Sequence, residues 1–194
     1  MDNTPDLRIV KTIQIIETTF FTELASKSFD QITVTGLARQ ARISKGTFYN
    51  HYLDKYDLAR QLIDSRIKSL NTVLKHQLNT SWRHNILLTK ITPEMEEQLA
   101  ELRILRKIHT SELDFEKQVK TSIAEIFEQR ILRDNLPLSQ PQFVSRLFAA
   151  LVFEFFDEYI DDLHKKDDQV MQTQLNEFLH AANELFPKKK RSVR

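Results

Sequence analysis

Glycine is almost absent from this chain. Two glycines and five prolines in 194 residues leave few points at which the backbone can turn tightly, while leucine, phenylalanine and charged side chains are plentiful. That balance favours helices over a loop-rich or doubly wound sheet fold, so the expected class is all-α. The length suits one large or two small domains and is enough to bury a core. The absence of cysteine excludes disulfides and thiolate zinc sites. With neither a signal peptide nor a long uncharged apolar run, the expectation is a soluble cytoplasmic protein with no membrane partner.

Apolar spacing divides the chain into helices. Ile9, Ile13, Ile16, Phe20 and Leu24 recur at helical intervals and predict an amphipathic helix over residues 8–26. SKSFDQI interrupts it. Thr33 can then cap a helix of about two turns carrying Val34, Leu37, Ala38 and Ala41, which is too short to stand without neighbours. Ser44 is placed to cap a third helix to about residue 50. Asp54, with Asp57 three positions on, caps a fourth, which Leu58, Leu62, Ile63, Ile67, Leu70 and Leu74 carry to about 76. Further breaks are expected near Trp82, at Pro93, around Thr110 to Leu113, at NLPLSQP and at HKKDD.

A two-turn helix, a tight connection and another short helix form a helix-turn-helix by spacing. Leu37, Ala38, Ala41, Ile43 and Phe48 are its natural core, because small alanines let two helices approach. Arg39, Lys45, Thr47, Tyr49, Asn50 and His51 are left for an outer surface. Net charge is +1, from 28 basic and 27 acidic side chains, and says little about partners. Its distribution says more: residues 31–60 hold Arg39, Arg42, Lys45, Lys55 and Arg60 against Asp54 and Asp57 alone. Such a surface fits a DNA major groove, with Lys45 and Thr47 toward phosphate or base edges and Gly46 allowing close backbone approach. Tyr49 can offer its hydroxyl to phosphate, and Lys55 would be a second phosphate clamp. Spacing alone fits an ordinary pair of short helices equally well.

The stretch SFDQITVTGLARQARISKGTFYNHYLDKYDL, with IIETTFFTELASKSF upstream, resembles the N-terminal signature of the TetR family of bacterial transcriptional regulators. The likeness covers about the first third of the chain. It implies three N-terminal helices that bind DNA and a larger helical domain that dimerises and often holds an effector. Carried over by position, it assigns DNA contacts to Thr33 and Thr35 at the start of the supporting helix. It assigns further contacts to Ser44, Lys45, Gly46 and Thr47 at the recognition-helix start, to Tyr49, Asn50 and His51 beyond it, and to Lys55. Two positions depart from the family pattern, with Ser28 and Arg42 where glycine is common. Were φ positive at 42, arginine would cost on the order of 1 kcal/mol. Ordinary dihedrals are expected instead, with Arg42 adding positive charge to the site.

The domains expected are residues 1–53 for DNA binding, 54–187 for regulation and dimerisation, and 188–194 as a basic tail. Residues 143–160 carry apolar pairs every four residues, from Phe143/Val144 to Tyr159/Ile160, and Met171 to Phe186 offers a second apolar face. These last two helices would suit a homodimer, although either face would also serve a monomer core. Trp82, Phe115, Ile123, Phe127, Phe153 and Phe156 could line a pocket for a small apolar or aromatic effector, or be core. The six histidines form no metal-binding motif and no phosphate-binding glycine loop is present, so neither an enzyme nor a cofactor is expected. The functional expectation is a TetR-type repressor on a palindromic operator, released by an effector. The alternative is an accessory activator or a protein-recruitment module.

Overall fold

The computed structural model describes residues 6–80, 93–161, 173 and 177. Trp82, the expected break at HKKDD, the apolar face from Met171 to Phe186 apart from Thr173 and Glu177, and the basic tail lie outside them. Seven α-helices and no strand occur among the described residues: α1 Leu7–Ser26, α2 Val34–Gln40, α3 Lys45–Tyr49, α4 Lys55–Thr80, α5 Pro93–Leu105, α6 Phe115–Arg133 and α7 Pro141–Asp161. A 3-10 turn, Phe29–Gln31, joins α1 to α2. Pro93, expected to break a helix, opens one, as its fixed φ and missing N–H allow.

The caps are where their residue types imply. The Asp6 side chain accepts from Arg8 N at 2.9 Å, Thr33 Oγ1 from Gly36 N at 3.1 Å and Ser44 Oγ from Thr47 N at 2.9 Å. Asp54 Oδ1 accepts from Asp57 N at 2.8 Å, and Asp57 reaches back to Leu53 N at 2.9 Å. Ser28 stands where the family pattern has glycine, but its φ of −71° asks for no glycine. Its N–H donates to Gln31 Oε1 at 3.1 Å and closes the 3-10 turn.

Burial follows the apolar stripes. On α1 it begins only at Ile16, with Ile9 exposed, and continues through Phe20 and Leu24. Leu37, Ala38, Ala41 and Phe48 join them beneath α2 and α3, and α4 extends the same core from Leu58, Leu62 and Ile63 to Leu74 and Leu78. Hydrophobic contact is therefore continuous from the N-terminal head into the helical body. In the body α6 lies along α7, with Phe127 stacked on Phe148 at 3.9 Å between ring centroids. The pairs on α7 divide: Val152 is buried and Val144 and Phe148 half-buried, while Phe143, Leu147 and Leu151 face outward.

The turn between α2 and α3 corrects one expectation. Arg42 has φ 55°, in the left-handed region. Its N–H donates to Arg39 O at 3.2 Å and Ile43 N–H to Ala38 O at 2.9 Å, the paired bonds of a Schellman C-cap with Ile43 folded back onto the core. Ordinary dihedrals cannot make both bonds, so an arginine sits where glycine would be unstrained. Arg42→Gly is expected to raise stability by about 1 kcal/mol, read as a higher urea midpoint at unchanged slope.

Tyr52 follows α3, is 4% exposed and donates its hydroxyl to Glu17 Oε1 of α1 at 3.2 Å. Burial above all, then the charge of Glu17, the hydrogen bond to it and the charge of Asp57, hold the phenol protonated well above the usual tyrosine range. An unfolded tyrosine loses its proton near about 10, so above that pH the folded state binds more protons than the unfolded one. The contribution is complete below about pH 10 and is lost as pH rises further. Wild type should therefore lose more unfolding free energy than Tyr52→Phe between about pH 9 and 11, measured by urea titration at each pH.

Candidate nucleic-acid interface

Helix α3 has five residues and cannot hold itself. Phe48 anchors it: the ring is fully buried, edge-on to Tyr49 and tilted against Tyr52, each 5.7 Å away between centroids. With Phe48 inward, Lys45, Gly46, Tyr49 and Asn50 are exposed, and Thr47 and His51 half-exposed. Tyr49 keeps 54% of its surface free. Thr35 is exposed on the first turn of α2, and Arg42 and Ser44 complete the same stretch of surface.

The charges on this surface are uneven in their freedom. Among the described residues, the side chains of Arg39, Arg42 and Lys45 have no ion pair or hydrogen bond. The nearby acids, Asp54 and Asp57, are turned onto backbone N–H groups at the start of α4. Positive charge is thus left uncompensated around α3.

Gly46 adds a steric argument. Its φ is not positive, and a Cβ built there would meet only Ser44 Oγ at 3.6 Å, an ordinary contact. Nothing inside the protein requires glycine, and alanine would favour the helix. The missing side chain instead leaves backbone open to whatever approaches from outside.

Several expected contact residues have work within the fold. The hydroxyls of Thr33 and Ser44 cap α2 and α3, and Thr47 Oγ1 lies 2.8 Å from Ser44 Oγ. Lys55, expected as a phosphate clamp, turns inward. Its ammonium donates to Phe29 O at 2.9 Å and Asp30 O at 3.2 Å and lies 4.7 Å from the Phe29 ring centroid. Two carbonyls of the 3-10 turn, together with two aromatic faces, outcompete a position in solvent. Sequence reasoning could not see this, because the partners lie 25 and 26 positions away.

In the body, Phe115, Ile123, Phe127 and Phe153 are core residues, each less than a tenth exposed. The side chain of Phe156, like Trp82, lies outside the described residues. Phe153 also borders a cleft of about 450 Å³ with Arg103, Arg106, Lys107, His109 and Asp157. A second cleft, about 610 Å³ between α6 and α7, is lined by charged and polar side chains including Lys117, Lys120, Glu125 and Arg146. Among the described residues no group of three His, Asp or Glu side chains could hold a metal, and no helix is long and apolar enough to cross a membrane.

The family model for bacterial regulatory proteins, tetR family, matches residues 21–62, a span that contains every expected DNA-contact residue. No curated protein matches the sequence. Solved structures do. Native NalD, the secondary repressor of the MexAB-OprM multidrug efflux pump in Pseudomonas aeruginosa, is 20% identical over 89% of this chain and 96% of its own, with a TM-score of 0.61. A second NalD structure gives 0.58 at the same identity and coverage. The dihydroxyacetone kinase operon activator DhaS is 17% identical over 91% of this chain and 98% of its own, with a TM-score of 0.53. This chain thus carries, at residues 21–62, the helix-turn-helix domain of the TetR family of bacterial regulators, built into an all-α fold that it shares with NalD and DhaS.

Proposed function

We propose that this protein is a sequence-specific, DNA-binding transcriptional regulator that acts as a homodimer on a palindromic operator. Residues 1–53 form the reading head, 54–187 the regulatory and dimerising body, and 188–194 a basic tail. Each protomer sets α3 in the major groove, the two heads lying about 34–36 Å apart on successive turns of one DNA face. The observation that carries this reading is the outer surface of α2 and α3, which holds three exposed, unpaired cations, Arg39, Arg42 and Lys45, and a glycine that the fold does not need. Lys45 and Arg42 neutralise phosphate, Gly46 lets the backbone approach, and Tyr49 and Asn50 reach base edges and sugar.

The body supplies the second copy's docking face. Phe143, Leu147 and Leu151 stand four residues apart on the outward side of α7, each about half exposed. A row of large apolar side chains on one helix face favours self-association. Regulation follows from α4, a single helix that starts at Lys55, against the head, and runs to Thr80 in the body. A small molecule bound in one of the body's clefts tilts α4, moves the heads out of register and releases the operator, making the protein a repressor. The activator reading rests on DhaS, an operon activator of the same fold. A reporter fused to the selected operator separates the two signs, since deleting the regulator raises expression for a repressor and lowers it for an activator.

Selection from a genomic duplex pool is expected to enrich a palindrome that a Lys45→Ala plus Tyr49→Ala protein fails to enrich. A folded wild-type dimer that enriches nothing at moderate salt would contradict the reading and favour recruitment by another protein. Leu147→Glu, which sets a charge in the outward row of α7, should give a monomer by light scattering and lose operator affinity by about tenfold or more. A Leu147→Glu protein that stays dimeric would place the interface elsewhere.

A further inference from the structure

At the end of helix α1 the C-cap residue Lys27 turns its ammonium onto the Glu23 carboxylate. The last turn of the helix holds no basic side chain, although the final carbonyls of a helix lack intrahelical partners and carry partial negative charge. A cation for those carbonyls comes from the body. Lys107 Nζ donates to Leu24 O at 3.3 Å and to Ala25 O at 2.5 Å, across 83 and 82 positions of sequence. Lys107 is held for this by the turn that follows α5, where Lys107 N donates to Ile104 O and Ile108 N to Leu105 O, with Leu105 and Ile108 fully buried.

A second tie joins the same elements. Glu101 of α5 pairs with Arg66 of α4, whose guanidinium lies 5.9 Å from the ring centroid of Phe21 on α1. From α1 the connection reaches the reading surface through Glu17 and Tyr52, the residue three past the end of α3. The ammonium of Lys107 thus meets the C-terminus of the head's longest helix, and Lys107 also lines the cleft of about 450 Å³ in the body. A cation in that position restrains rotation of α1 against α5, because turning the head carries the two carbonyls away from it.

We propose that Lys107 is a positioning residue, a latch that fixes the orientation of the reading head on the body, and that freeing its ammonium from α1 is the step that lets the head turn. The proposal rests on the DNA-binding reading only for its consequence at an operator, since the orientation itself is measurable without DNA. The chain has no cysteine, so Gln40→Cys in the head and Gln129→Cys in the body, both exposed positions, give a clean pair of spin labels. Labelled chains diluted into excess unlabelled protein report one intrachain distance by pulsed electron resonance. Lys107→Met keeps the stem and removes the charge, Lys107→Gln serves the same comparison if the first does not fold, and Lys107→Arg restores a cation. Wild type and Lys107→Arg are expected to give one narrow distribution, and Lys107→Met a broader one or a second population with its melting temperature little changed. A Lys107→Met distribution that superimposes on wild type, or a Lys107→Arg distribution as broad as that of Lys107→Met, overturns the latch. On an operator selected by wild type, the latch further predicts an affinity loss of about threefold or more for Lys107→Met, and an unchanged affinity overturns the positioning role. Failure of wild type to select any duplex speaks against the DNA-binding reading and leaves the distance measurement to judge the latch.

Discussion

The reading surface depends on the burial of one ring. Helix α3 is too short to persist in water, and its axis is set by Phe48, which is wholly enclosed by the head. Once that ring is seated, the positions left over are fixed by geometry: Lys45, Gly46, Tyr49 and Asn50 face out because Phe48 faces in. The left-handed turn at Arg42 sets the angle at which α3 leaves α2, and Ile43 returns to the core behind it. The outward-facing chemistry here is the complement of a packing solution.

Lysine plays two opposite parts in this chain. Lys45 is free at the surface, whereas Lys55 and Lys107 each donate to a pair of backbone carbonyls. Leu24 O and Ala25 O lie in the last turn of α1, where carbonyls lack intrahelical donors, whereas Phe29 O also accepts from Ile32 N at 3.2 Å; in both places a flexible ammonium serves two carbonyls at once. Lys55 ties the start of α4 to the 3-10 turn of the head. Lys107 works between head and body. The continuous apolar core supplies cohesion across that junction but little rotational preference, because apolar contact is non-directional. Directional donors are what can give the head a defined orientation.

Much of this was legible in sequence, and the limits have physical reasons. Helix α1, the Thr33 and Ser44 caps and the Asp54–Asp57 start of α4 followed from local spacing and from side chains that bond their own backbone. The inward seat of Phe48 and the outward row of α3 followed from periodicity. Arg42 was misjudged because glycine alone advertises a left-handed turn, while an arginine forced there leaves no local sign. Lys55 and Lys107 were opaque for a different reason: a lysine's partner is chosen by tertiary proximity, and carbonyls are the same whatever the sequence. On α7 the repeating pairs were plain, but which member of each pair turns inward, Val144 or Phe143, depended on the seat of α6.

If the surface around α3 is shaped for a partner outside the protein, Gly46 is where this shows, because the fold gives it no reason to be glycine. The measurement is operator affinity of Gly46→Ala at fixed salt, beside its urea unfolding curve. The account predicts stability unchanged or raised by up to about 1 kcal/mol, from the helix preference of alanine, together with binding weakened by about tenfold or more as the methyl holds DNA away. An alanine protein that binds its operator as tightly as wild type would contradict the account.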